Sequence, residues 1–486
     1  MVSDFIRDLR WVSFAEVFSQ IASFVTVPLL TRALIPSEYG LYRSAFVVVS
    51  LLTFVRGVAN LQPLLLDQLP RLERQRQRSL TVAITVCTIA LIAISLVGLV
   101  LLTELGLLNE VSSRLQEFVA ANIWLAMLLV ASKSLYQYGL TVCKGLDEFA
   151  MYSGIKFLYE ITFLGALVAL VTVGQLTIVT AISAYAGASM LAVAIIIVTV
   201  HDELNAKPDF ETLIQEYHRI SAPLIPRSLV KKAKDITPRF LIISAFGVGT
   251  FGSWSVVFTL AMSFRLLSRP FSQILLPKIS KALSEGQSLD GLVYQYYRAM
   301  GTLIFPAVVG GWLLGAEVIQ HVFGAEYVLA DAVIWLLLAG FGVQSLNAIT
   351  GSVYVATDRS DLATYTQILS AVGLLSLVLL GAFFFDSLII VSAGYLAENL
   401  IALTISLKYQ STIIELPRPN FATVWKLCFS LAVMVVAVGL VEPWIAGVPT
   451  TFGAVALGAA TYFVALYATG FVREQEWELI RQFVSV

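Results

Sequence analysis

Charge is scarce in this chain. Lysine, arginine, aspartate and glutamate make up 13% of its 486 residues, against 58% hydrophobic residues, and the mean hydropathy is +0.84. A soluble domain cannot clothe its surface with so little charge, so a polytopic, all-α membrane protein is expected. Cysteine is almost as rare. Cys87, Cys143 and Cys428 each stand alone in an apolar run, which excludes a disulfide framework and a cysteine metal site. The three histidines, His201, His218 and His321, are too far apart to form a zinc pattern. Net charge is −1, so there is no global basic field for nucleic acid. Long polar segments are missing too, the longest loops running to about twenty residues. No G-x-x-x-x-G-K-[ST] loop is present, and no loop is large enough for a soluble catalytic domain. These absences argue against ATP hydrolysis and against a glycan polymerase or ligase. No catalytic residue and no metal or organic cofactor is assigned.

What remains is a succession of apolar runs of the length, ~20 residues, that a helix needs to cross a bilayer. Thirteen are clear: 11–30, 41–66, 79–102, 119–142, 155–173, 177–200, 252–277, 299–314, 329–356, 362–385, 387–407, 421–441 and 450–471. A fourteenth stretch, 219–246, is ambiguous because it contains RSLVKKAKDITPR. Loop charge decides its reading, because cytoplasmic loops carry an excess of Lys and Arg. With 219–246 counted as the seventh span and the N-terminus inside, the basic residues of nearly every loop fall on the cytoplasmic side. They include Arg71, Arg74, Arg76, Arg78, Lys144, Lys207, Lys278, Lys281, Arg298, Arg359 and Lys408, leaving Arg32 and Arg114 outside. Without that span, every basic loop from Lys278 onward lands outside. Fourteen spans with both termini cytoplasmic are therefore expected, in the plasma or inner membrane. The opening MVSDFIRDLRWVSFAEVF lacks a small-residue cleavage site after its first apolar run and reads as a retained cytoplasmic end.

The polar connection HDELNAKPDFETLIQEYHR (201–219) separates six spans from the rest and reads as a hinge between two halves. The expected organisation is an N-terminal lobe at 1–200, a linker at 201–218, a C-terminal lobe at 219–408, and two extra spans with a cytoplasmic tail at 409–486. EYGLYRSAF (38–46) before the second span is echoed by TFGSWSVVF (250–258) before the eighth. Gly40 matches Gly252, Tyr42 matches Trp254 and Phe46 matches Phe258. Both segments stand at the same face, so the repeats are parallel.

The intramembrane charges are the candidates for function, since an ionisable group inside hydrocarbon is costly unless it faces water, a partner or a ligand. On a helix at 100° per residue, Arg227, Lys231, Lys232, Lys234, Asp235 and Arg239 occupy an arc of ~160°. Arg227 lies near enough to the start to snorkel; the others lie deeper. Lys231 and Asp235, and Asp235 and Arg239, are four apart, yet basic groups remain in excess. Arg265 and Arg269 share a face of the eighth span. Arg56 and Asn60 share one in the second, and Glu16 and Gln20 one in the first. Lys133 stands at mid-depth in the fourth span, and Glu398 near the middle of the twelfth. Lys156 and Glu160, four apart, read as a self-contained pair. The balance is cationic, which suits an anion, and the planar fork of arginine suits phosphate.

VPLLTRALIPSEYGLYRSAF (27–46) and HVFGAEYVLADAVIWLLLAG (321–340) carry a family resemblance. The first is similar to an L-x-R-x-L-x-x-x-x-[YF]-G-x-Y run, the second to an F-G-x-x-Y turn before an apolar helix. Both resemble the Wzx-type lipid-linked oligosaccharide flippases of the multidrug/oligosaccharidyl-lipid/polysaccharide exporter superfamily. The resemblance implies two six-helix lobes around a central cavity, bordered by spans one, two, seven and eight, with two C-terminal helices besides. It implies alternating access that carries a polyprenyl-diphosphate-linked oligosaccharide from the cytoplasmic to the external leaflet for cell-surface polysaccharide biosynthesis. Such a transporter would work with membrane lipid and with other polysaccharide-assembly proteins, without nucleic acid. Arg56, Lys133, Arg227, Lys231, Lys234, Arg239, Arg265 and Arg269 are then the candidate contacts to the anionic head group. Glu16, Asp235 and Glu398 are candidates for coupling to H+ or Na+. A peptidoglycan-precursor lipid flippase and a multidrug/cation antiporter of the same superfamily are the alternatives; the antiporter predicts twelve spans and acidic cavity residues.

Overall fold

A bilayer offers no hydrogen bonds, so every backbone group that crosses it must be satisfied within the protein, and helices do this locally. The computed structural model describes residues 2–54, 61–69, 72–357, 359–412, 414 and 420–471, and among them there is no strand. Arg56, Asn60 and the tail from 472 lie outside the described residues. The helices run α1 (Val2–Ala33), α2 (Pro36–Leu52), α3 (Arg74–Glu104), α4 (Ser113–Ala121), α5 (Ile123–Gly145), α6 (Phe149–Thr172), α7 (Ile178–Val200) and α8 (Phe210–Glu216). They continue as α9 (Ile225–Met262), α10 (Phe264–Ser284), α11 (Asp290–Val318), α12 (Asp331–Ala356), α13 (Ser360–Leu379), α14 (Leu388–Gln410), α15 (Phe421–Val441) and α16 (Val448–Ala468).

Among the described residues, eleven helical stretches are long and apolar enough to cross a membrane, or twelve if a bent pair counts as one span. One of the eleven, Phe210–Ser268, contains the ambiguous charged segment and runs 59 residues. At 1.5 Å per residue that is about 88 Å, enough for two crossings of a ~30 Å core. Its break is a single residue, Gly247, at φ 80° and ψ 166°, a backbone conformation that glycine adopts without Cβ strain. The expected external loop between the seventh and eighth spans is thus reduced to one glycine.

Two expectations are revised. The fourth span, read as 119–142, begins at Ile123; the residues before it form α4, which meets α5 at 86°. Asn122 makes the corner, leaving the helical region at φ −124° and ψ 37° while its side-chain amide donates to the Phe118 carbonyl at 2.9 Å. The linker is not a bare hinge. Glu203 receives Arg78 at 2.9 Å and Arg74 at 3.2 Å, and the Asp209 N–H donates to the Ser79 carbonyl at 3.3 Å, fastening it to the start of α3. The Asp209 carboxylate then caps α8, accepting from the Thr212 N–H at 3.0 Å and its hydroxyl at 2.7 Å.

The chain divides into two compact units, Met1–Gly252 and Ser253–Val486. In the first, α3 packs on α5, and α7 on both α5 and α6. In the second, α11 packs on α12, and α14 on both α12 and α13, which repeats the same pairings. Helices α15 and α16 pack on each other and on α11 around Leu314, Met434, Val438, Tyr462 and Leu466, with the Tyr462 hydroxyl donating to the Thr302 carbonyl at 3.0 Å.

Inside the first unit the two echoed glycines meet. A Cβ built on Gly40 would lie 1.8 Å from the carbonyl oxygen of Val248, and one on Gly252 would lie 2.2 Å from that of Pro36. Gly40 is four residues after Pro36, and Gly252 four after Val248. Each glycine therefore rests on the first residue of the other helix, at a distance no side chain permits.

Hydrogen bonds from Thr212 hold the Asp209 carboxyl below its ordinary value. Its contribution to the linker is present above the usual aspartate pKa and is lost as pH falls through the lowered one. Asp209→Ala is expected to fray α8 by about 1 kcal/mol, and acidification through that range to loosen it in the same direction. Faster hydrogen exchange at 210–216 with unchanged exchange in α6 would show it; equal exchange in wild type and variant would refute it.

Candidate functional site: cations and aromatic rings inside the helices

The cationic face of the seventh span rests on an unbroken helix. Residues 225–246 are helical throughout, with Pro238 inside, so the ~160° arc holds. Arg227, Lys231 and Asp235 are exposed; Lys232, Lys234 and Arg239 are half-buried; Ile242 and Ile243 further along are buried. Arg239 stands fourteen residues after Ile225, about 21 Å along the axis, too deep to snorkel back to the start of the helix.

The first unit also joins charges that the sequence reading had kept apart. Glu16 on α1 receives the Lys156 ammonium at 2.8 Å and the Tyr152 hydroxyl at 2.7 Å, both from α6. The Ser19 hydroxyl of α1 donates to the Glu160 carboxylate, which is buried. Lys156 and Glu160 are therefore not a self-contained pair: their shared helix face is turned onto α1. Beside them is a group of rings from three helices. Phe46 of α2 meets Tyr185 of α7 edge-on at 4.8 Å, and Tyr185 meets Tyr159 and Phe163 of α6 at 5.7 and 5.5 Å. Lys133 of α5 places its ammonium 5.1 Å from the centre of the Phe46 ring.

The second unit holds Arg265, whose Nε donates to Gln344 of α12 at 3.0 Å and whose guanidinium lies 5.5 Å from the Phe341 ring centre. The backbone of Arg269 is helical in α10, but its side chain lies outside the described ones. Glu398 on α14 is 4% exposed, next to Asn399, whose carbonyl accepts from Asn347 of α12 at 3.0 Å. Here too rings gather: Phe258 meets Trp254, Phe341 and Tyr395 at 4.7, 5.0 and 5.5 Å. Gln344, Phe341, Tyr185 and Tyr395 had not been singled out in the sequence. The signal was available for the two tyrosines, each seven residues into its helix, after Ile178 and after Leu388.

This is a multi-helix protein whose described helices are long and apolar enough to cross a membrane and hold ionised groups between them. Its fold is similar to an inward-closed structure of the lipid II flippase MurJ, with a TM-score of 0.75 at 13% identity over 95% of this chain and 99% of that one. It is also similar to an inward-facing multidrug-resistance MATE transporter of the MOP superfamily, with a TM-score of 0.61 at 14% identity over 83% and 94%. An outward-facing MATE transporter gives 0.55 at 13% identity over 83% and 95%. Comparison with curated protein sequences finds no match. The model of the family described as "Polysaccharide biosynthesis protein" matches residues 29–332, more than half of the chain. The chain belongs to that family, and its fold is the one shared by the MurJ and MATE structures.

Glu16 and Lys156 are half-buried, so removing one leaves the other partly desolvated without its counter-charge. Lys156→Ala is expected to destabilise the protein by about 1–2 kcal/mol, and Glu16→Gln with Lys156→Met to recover most of that loss. Unfolding of the purified protein in detergent measures both; an alanine variant as stable as wild type would remove the pair from the account.

Proposed function

We propose that the protein is a flippase for polyprenyl-diphosphate-linked oligosaccharide, carrying it from the cytoplasmic to the external leaflet for assembly of a cell-surface polysaccharide. The observation that carries this reading is the cationic face of α9. Five basic residues against one acidic share one side of a helix within the membrane, in a member of the polysaccharide biosynthesis family. The diphosphate is the part of such a lipid that cannot cross hydrocarbon unaided. Lys231, Lys234 and Arg239, together with Arg227 nearer the cytoplasm, would take over its hydration step by step, while Arg265 supplies a planar fork for paired phosphate oxygens. Arg56 and Arg269 complete the set of contacts proposed. The polyprenyl tail has no need of a polar path and would remain in lipid. A cation antiporter would call for an acidic path, and the basic excess speaks against it. Glu16, half-buried against Lys156, and Glu398 are the groups proposed to couple transport to H+ or Na+, with Asp235 on the cationic face itself.

Alternating access requires the external ends of the helices to part. The reciprocal seating of Gly40 and Gly252 is then the external closure, and transport must break it once per cycle. Ser37 Cβ stands 4.0 Å from where a Cβ on Gly249 would be, within the reach of a disulfide. In a variant lacking Cys87, Cys143 and Cys428, Ser37→Cys with Gly249→Cys should cross-link and stop glycan export, and reduction should restore it. Export that continues at full rate in the cross-linked protein would exclude this crossing as a moving closure. Lys231→Ala with Lys234→Ala should cut export by at least about 100-fold, the weight of two charge-assisted contacts, with the protein still folded in the membrane. Normal export in that double variant would overturn the head-group assignment.

A further inference from the structure

The seam between α1 and α6 holds two carboxyl groups and a single ammonium. Glu16 has the ammonium, from Lys156 at 2.8 Å, and the Tyr152 hydroxyl at 2.7 Å. Glu160 lies one turn beyond Lys156 on α6 and is 9% exposed. Its hydrogen bond comes from an uncharged group, the hydroxyl of Ser19. Glu160 stands eleven residues after Phe149 and twelve before Thr172. That is about 16 and 18 Å along the axis, out of reach of either membrane surface.

The surrounding helices bring Glu160 no second cation. Among the described residues, α6 packs on α1, α5 and α7. Helix α7 carries no Lys, Arg, Asp or Glu from Ile178 to Val200. On α5 the ammonium of Lys133 lies over the Phe46 ring at 5.1 Å and that of Lys144 over the Tyr152 ring at 4.1 Å. On α1, Asp4, Arg7, Asp8 and Arg10 precede Ser19 by nine residues or more, and Arg32 follows it by thirteen. Those offsets are about 13 Å and 20 Å along the helix. The charged groups that act on Glu160 are Lys156 and Glu16, and the phenols around it are Tyr136, Tyr159 and Tyr185.

We propose that Glu160, with Ser19, is a proton-binding site, and that Glu160 carries its proton while the seam is closed as observed. Ionising Glu160 beside Glu16 would set two negative charges against one ammonium in surroundings that solvate neither. One proton on the pair removes the excess. A hydroxyl both donates and accepts, so Ser19 is a partner for the ionised and the neutral carboxyl alike. When Glu160 gives its proton up to water, Lys156 has two claimants. Glu16 lies across the seam, and Glu160 lies four residues along the same helix, at the spacing of an intrahelical ion pair. An ammonium drawn to Glu160 no longer ties α6 to α1. The proton therefore decides whether Lys156 bonds between helices or within one, and proton binding biases that choice. The use of this site in transport rests on the flippase reading, to which it adds a proton carrier distinct from Glu16.

Infrared difference spectroscopy of the full-length protein in lipid nanodiscs, titrated with pH in H2O and D2O, reads protonated carboxyls directly. Wild type should show a carboxylic-acid C=O band that shifts in D2O. Glu160→Gln, which keeps a partner for Ser19, should lose one carboxyl's worth of it. Ser19→Ala should keep the band and move it to higher wavenumber, as a C=O that has lost a hydrogen bond does, and Tyr152→Phe should leave it in place. An undiminished band in Glu160→Gln would overturn the site. So would a band that moves in Tyr152→Phe and not in Ser19→Ala, because the proton would then sit on Glu16. In proteoliposomes, export by Glu160→Gln should lose the wild-type response to an imposed pH gradient; an unchanged response would remove Glu160 from the coupling. A band assigned to Glu160 in a protein that exports no glycan would fail the flippase reading and leave the proton site standing. Glycan export without that band would do the reverse.

Discussion

The cost of bringing an ionised or polar group out of water is the constraint on which this structure depends. It explains why the backbone is helical and why a glycine, not a polar loop, separates the halves of the 59-residue helical stretch. It also explains why charges appear as faces and pairs. Glu16 is tolerable because Lys156 and Tyr152 reach it within 2.8 Å. Arg265 is tolerable because Gln344 accepts from it and Phe341 lies under it. The α9 face is a different solution. Its basic groups outnumber Asp235 and stand on one side of a helix, an arrangement that is costly against acyl chains.

The second organising element is repetition. The same helix pairings, the same phenylalanine–tyrosine edge contact and the same glycine offset recur in the two halves of the chain. Repetition makes departures informative. Lys133 and Phe341 occupy corresponding positions and solve the same packing problem, one with charge and one without. At the glycine crossing the repeats touch each other, and the backbones approach so closely that a single methyl group on either side would collide with a carbonyl.

Much of the architecture was legible in the chain. Hydropathy is a local quantity, so it marked most of the apolar helices, and 219–246 is helical as expected, although eleven or twelve stretches, not fourteen, are long and apolar enough to cross a membrane among the described residues. The arc of α9 followed from helical geometry once that stretch was taken as helix. The corner at Asn122 was not legible, because an apolar run reads the same whether it crosses the bilayer or turns aside before doing so. The linker looked like a hinge because its composition is polar, but polarity says nothing of the ion pairs from Arg74 and Arg78 that fasten it. Lys156 and Glu160 were paired with each other on the rule that residues four apart on a helix are neighbours. That rule is correct about the face they share and silent about what the face meets.

The sequence by itself determined the class of protein, the order of its helices and the sign of its intramembrane charge, because these depend on composition and on period along one chain. Only the tertiary structure decided which distant charges meet. Glu16 and Lys156 lie 140 residues apart, as do the two glycines of the crossing by more than 200; such meetings depend on how helices pack, and packing is set by side-chain shape at contacts that no local pattern records.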